Sequence, residues 1–179
     1  TADSVPLISS VYSATGEKPV VEYTIDGTKE LPIYHFGDNE IEFYKKWDEL
    51  DAPFAVYLSE YTIWLVPARD KTQNSVGSLD DLLLWYDNMI RQYNAFSGLT
   101  KDAPEEWNRD SGTKYLIKAN RHGWGAAYYS VAETAPNGDS LLGYMNTSNW
   151  GPLHEVGHGY DTLNFGSAEI WNNVLAHYY

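Results

Sequence analysis

The segment "NWGPLHEVGHGYDTLNFGSAEIWNN", residues 149–173, sets His154 and His158 four positions apart, with Glu155 between them and Glu169 downstream. Positions i and i+4 of a helix share a face, so both imidazoles can aim a nitrogen at one ion about 2 Å away. Glu155 lies about 100° around such a helix from His154 and about 60° from His158. That offset disfavours it as a third ligand and gives it reach to a metal-activated water, the place of a general base. At this chain's composition the three residues fall at these positions by chance roughly once in a hundred such chains, so a zinc site outweighs an accident of sequence.

A hydrolytic zinc site takes a third protein ligand and keeps one position open. The chain has no cysteine, which leaves His, Asp and Glu. Glu169 is the preferred third ligand: "DTLNFGS" supplies a turn, and Ser167 can cap a second helix beginning at or just before Glu169. Asp161 is expected too far along the first helix, and His177 too far along the second. Asn172 and Asn173 could fix the ligand side chains, and read equally as helix-surface amides. The oxyanion needs one more donor, and Tyr160, Tyr178 and Tyr179 qualify by type alone. Gly157 and Gly159 each cost a helix about 1 kcal/mol, which suggests close approach of a neighbouring backbone.

The remaining elements must position this segment. Strand formers flank the turn dipeptide Asp26-Gly27 in "PVVEYTIDGTKELPIYHF", predicting two short strands, and "NEIEFYKKWDEL" predicts a short helix. "PFAVYLSEYTIWLVPA" reads as a strand pair turning near Ser59-Glu60. The clearest helix follows Ser78, with Leu82, Tyr86, Met89, Ile90, Tyr93 and Phe96 at helical spacing and Gly98 after its end; this stripe is core. "TKYLIKAN" and "GWGAAYYSVAE" are strands, and "TAPNGDS" is a turn. Gly123, Gly125, Ala126 and Ala127 would leave a sheet edge unobstructed for an extended substrate, and read equally as a strand with a bulge; Gly125, Ala126, Ala127 and Trp150 form the candidate substrate-binding set. His35 and His122 read as ordinary surface or strand residues.

A 43% hydrophobic content supports a real core, and a net charge of -13 disfavours nucleic acid or an anionic membrane as the main partner. No transmembrane segment is evident. Seven Trp and 15 Tyr would suit a carbohydrate-binding cleft, although aromatic core strands account for most of them. Residues 1–18 read as a leader or linker and 19–179 as the domain that carries the zinc motif.

"WGPLHEVGHGYD" followed by "SAEIWNNVLAHYY" resembles the enhancin-like, mucin-degrading zinc metallopeptidases. The resemblance extends upstream through "LPIYHFGD", "FYKKW", "TIWLVPARD", "WYDNMIRQYNAFSGL" and "GWGAAYY", covering roughly residues 31–176. It implies an α+β, zincin-like fold of the gluzincin type and Zn2+ held by His154, His158 and Glu169 with Glu155 as base. It also implies an extracellular or cell-surface location and O-glycosylated protein substrates such as mucins. The gluzincin type further implies helices after the third ligand, so with only ten residues following Glu169 the chain is expected to be part of a larger protein, incomplete at its C-terminus, and activity is expected of the intact protein rather than of these 179 residues alone. The competing readings are an inactive glycan- or glycoprotein-binding module and a zinc amidase acting on small substrates.

Overall fold

The computed structural model describes Val5, Val20 and residues 22–71, 77–110, 112–161 and 169–179. Asp26-Gly27 forms its turn, with Gly27 at φ +73. Only one of the two flanking strands forms among the described residues, as β1 (Ile33–His35). Helix α1 (Glu40–Leu50) starts where Asn39 accepts hydrogen bonds from the Ile41 and Glu42 amides. It buries Phe43 and Trp47, and Phe43 meets Tyr34 of β1 edge to face.

Strands β2 (Phe54–Leu58) and β3 (Thr62–Pro67) form the expected antiparallel pair. Its turn chemistry is weak by sequence, and the fold supplies the missing support. Helix α2 (Leu79–Phe96) brings buried Asp87 under the turn, where its carboxylate accepts from Ser59 Oγ at 2.7 Å, Tyr61 N at 3.0 Å and Glu60 N at 3.1 Å. Helix α2 begins with a reciprocal cap between Ser78 and Asp81. Its predicted stripe is buried except at Phe96, which is 39% exposed near the helix end.

Strands β4 (Tyr115–Lys118), β5 (Ala127–Ser130) and β6 (Glu133–Pro136) complete a mixed sheet in the order β1-β2-β3-β4-β6-β5. The α+β expectation is met. Two boundaries differ from the sequence reading. Residues 134–136, expected in a turn, belong to a strand, and Val131-Ala132, expected in a strand, make the reversal, both at positive φ. Gly125 and Ala126 precede β5, because Gly125 adopts φ +83, outside strand geometry.

Paired residues Tyr57 and Trp64 are both buried on one sheet face. Helix α1 covers Tyr57 through Phe43 and Trp47, while α2 covers Trp64 through Tyr86, edge to face at 4.7 Å. Two short helices, α3 (Leu142–Met145) and α4 (Trp150–Gly157), then lie against α2. Tyr86 Oη donates to Tyr144 O at 2.8 Å and Tyr93 Oη to Leu153 O at 3.1 Å. The last helix, α5 (Trp171–Tyr178), packs on α4. No helix among the described residues is long and apolar enough to cross a membrane.

Candidate active site

Asn149 caps α4 by accepting from Gly151 N, Pro152 fits its first turn, and Val156 is fully buried. That burial fixes the opposite face of α4, which carries His154 and His158 into an open pocket of about 430 Å³. Ala127, Tyr128, Tyr129, Glu155 and Glu169 also line it. Helix α4 has room beside α5 because residue 157 is glycine: a Cβ there would stand 2.9 Å from Asn172 Cα and 3.0 Å from Asn172 O. The close backbone approach expected at Gly157 is therefore present. At Gly159 the neighbour is a side chain, with Tyr115 Oη 2.4 Å from the Cβ position.

Glu169 reaches the pocket from the chain ahead of α5. The helix starts at Trp171, later than expected, because Glu169 adopts φ +66, which a right-handed helix excludes. Ser167 lies outside the described residues. Glu169 Oε2 is 3.1 Å from His154 Nε2 and 3.6 Å from His158 Nε2. Ligands about 2.0–2.1 Å from a tetrahedral ion stand roughly 3.3 Å apart, so the two measured spacings bracket that edge. Among the described residues His154, His158 and Glu169 are the group able to hold a metal, with one ligand atom from each all within 4.8 Å of one another. The donor set fits zinc.

The far nitrogen of each ring is held. His154 Nδ1 donates to Asn173 Oδ1 at 2.8 Å, and His158 Nδ1 to Asp161 Oδ2 at 2.8 Å. Both contacts leave Nε2 as the free lone pair facing Glu169. The amide nitrogen of buried Asn172 lies 3.2 and 3.3 Å from the two His154 nitrogens and 3.0 and 3.3 Å from those of His158. Such near-equal spacing sets it against the rings and out of line with either Nε2 lone pair. Its Oδ1 accepts from Asn173 N at 2.8 Å, so the amide is locked in place.

Glu155 lines the pocket without joining the three-residue group. Burial raises its carboxyl above the ordinary range, with Glu169 adding to the rise and the two histidines opposing it. Trp150 does not line the pocket; it is 46% exposed and tilts over His154 at 4.6 Å. Of the strand-edge residues, Ala127 lines the pocket and Gly125 and Ala126 do not. The three tyrosines considered as oxyanion donors point elsewhere: Tyr160 Oη donates to Asn94 Oδ1, Tyr179 Oη to Trp85 O, and Tyr178 packs on Phe96. Tyr128 and Tyr129 stand in the pocket wall instead. The sequence singled out this strand as a candidate substrate edge but not its tyrosines, because alternation along a strand does not say which side chains face the pocket.

Residues 27–179 match the family described as peptidase M60, enhancin and enhancin-like. The chain belongs to that family. It is 31% identical over 183 residues to a viral-enhancing factor of Trichoplusia ni granulosis virus, covering 97% of this chain and 20% of the viral protein. The chain thus spans about a fifth of that relative's length. Among solved structures it resembles a functionally unknown conserved protein from Bacillus anthracis str. Ames, with a TM-score of 0.73, 19% identity, and coverage of 81% of this chain and 32% of that one. It also resembles the M60 catalytic domain of Clostridium perfringens ZmpC, solved with the sialyl T antigen, at a TM-score of 0.64, 20% identity, and coverage of 86% and 33%. At those identities the likeness is one of fold. Within the residues that match the family, His154, His158 and Glu169 are the group able to hold a metal ion among the described residues of this chain.

Proposed function

We propose that the protein containing this chain is a zinc-dependent endopeptidase that hydrolyses peptide bonds in O-glycosylated proteins such as mucins, outside the cell or at its surface. The observation that carries this reading is the spacing of Glu169 Oε2 from both Nε2 atoms, with Glu155 in the same pocket. His154, His158 and Glu169 would hold the ion. Zinc bound there supplies Lewis acidity, lowering the pKa of water to about 7 and polarising a carbonyl. Glu155 accepts the proton of the attacking water, and its partly buried setting keeps bulk solvent from levelling its basicity. It then carries that proton to the departing amine.

The edge of the sheet suits an extended peptide. Asn137 N donates to Ala126 O across the β5–β6 pair, and antiparallel pairing alternates, so Ala127 and Tyr129 turn their backbone groups away from β6. A substrate strand can add there beside the pocket. The M60 catalytic domain solved with the sialyl T antigen and a metallopeptidase of similar fold solved with the Tn antigen support glycosylated substrates over bare peptides or small amides.

The test uses the full-length protein. It is expected to bind one zinc and cleave a mucin, while Glu155→Gln binds zinc and cleaves about 10²–10⁴-fold more slowly. Absence of zinc binding in the wild type would sink the enzyme reading, and undiminished cleavage by Glu155→Gln would remove the assigned base.

A further inference from the structure

His158 sits where α4 gives way to a 3-10 turn, His158–Tyr160, and Asp161 ends that turn with its N–H donating to His158 O at 3.1 Å. A 3-10 turn stacks residues i and i+3 one above the other, so Asp161 lies over His158 instead of a step around the axis. Its Oδ2 accepts from His158 Nδ1 at 2.8 Å, with the two side chains 20% and 23% exposed. Position 161 is thus close enough to matter but engages the nitrogen that faces away from Glu169.

We propose that Asp161 is a positioning residue for metal binding: through Nδ1 it fixes the His158 tautomer that directs Nε2 into the site and strengthens that imidazole as a donor. This inference rests on the zinc reading of the site. Two observations beyond the contact itself support it. First, the two histidines are held differently. His154 Nδ1 meets a neutral amide from α5, whereas His158 Nδ1 meets a carboxylate three residues along its own chain. A carboxylate polarises the imidazole more than an amide does, so His158 is the stronger donor of the pair.

Second, Asp161 is incompletely satisfied. Its Oδ1 is shielded from solvent and has no hydrogen-bond partner among the described residues. A shielded carboxylate oxygen without a partner destabilises the metal-free protein. A cation bound to the far side of His158 offsets that cost through the ring. Asp161 therefore favours the metal-loaded protein over the metal-free one, a preference that a purely structural cap lacks.

The experiment measures zinc affinity of the full-length protein, stripped by chelation, in competition with a chromophoric chelator, alongside the thermal midpoint of the metal-free form. Asp161→Asn, nearly isosteric, is expected to weaken zinc about 10-fold and Asp161→Ala up to about 100-fold. The metal-free midpoint is expected not to fall in Asp161→Asn, and the His158 Nδ1–H proton resonance of the zinc form is expected to move upfield. Wild-type zinc affinity in Asp161→Ala, or an unmoved Nδ1–H resonance in Asp161→Asn, overturns the inference. His158→Ala separates it from the reading beneath it. If the wild type binds zinc, His158→Ala abolishes binding and Asp161→Ala leaves it intact, the inference alone fails; if the wild type binds no zinc, both fail.

Discussion

At the scale of residues, the site divides labour by atom. Nε2 of each histidine faces Glu169 while Nδ1 is taken by a chain oxygen, so neither ring can flip without losing a 2.8 Å hydrogen bond. Glu155 occupies the angle that excludes it from this set and keeps it in the pocket. A positioned general base contributes about 10²–10⁴-fold to a rate. Glu155→Gln is accordingly expected to lower kcat/KM on a glycoprotein substrate by that factor with zinc content unchanged, checked by steady-state kinetics and metal analysis on one preparation. The motif was legible because a four-residue helical spacing needs no tertiary information. Asp161 was not, because its use depends on the chain tightening into a 3-10 turn after His158.

At the scale of elements, two contacts decide whether the pieces meet. Gly157 admits α5 to within van der Waals contact of α4, and the atoms a Cβ would strike are backbone atoms of Asn172, which cannot rotate away. Overpacking costs about 1–3 kcal/mol against about 1 kcal/mol of helix propensity gained. Gly157→Ala is expected to lose up to about 2 kcal/mol in urea unfolding and to weaken zinc, since α5 carries Asn172 and Asn173. The β5–β6 hairpin presents the opposite case. Val131 and Ala132 turn at φ 40 and φ 64, the left-handed region that suits Asn and Gly. The double variant Val131→Asn/Ala132→Gly is expected to gain about 1 kcal/mol in the same assay, the relief of strain exceeding the entropy that glycine adds to the unfolded chain. Sequence missed this turn because its residues argue against one.

Across the whole molecule, the sheet and α2 are tied by charge as well as packing. Glu60, in the β2–β3 turn, pairs with Arg91 of α2 and with Lys101 beyond it. Hydrogen bonds from Lys101 and Arg91 hold its carboxyl below the ordinary range. A depressed folded-state value means the pair stabilises the fold above the unfolded value, about 4.3, and that this contribution disappears as pH falls through the folded one. Glu60→Gln is therefore expected to be less stable than wild type at about pH 7, with the difference shrinking as pH falls through the folded-state value and in high salt. Urea titrations across that range check the sign. A variant equally destabilised at both ends would show that the charge is not what ties the turn to α2.

By itself the sequence determined the long helix, the β2–β3 pair and the spacing that sets His154 and His158 on one helix face, because each follows from local periodicity, capping residues or short-range spacing. Its family resemblance extended the reading to the α+β fold. Only the tertiary structure decided which strand became the edge, since β6 inserts between β4 and β5 through pairings no local pattern encodes. It also decided what holds the two rings. Asn173 comes from a helix packed across Gly157, and Asp161 comes from a change of helical pitch. Both depend on where elements meet, and the free energy that selects such meetings is spread over the whole core rather than written in any one segment.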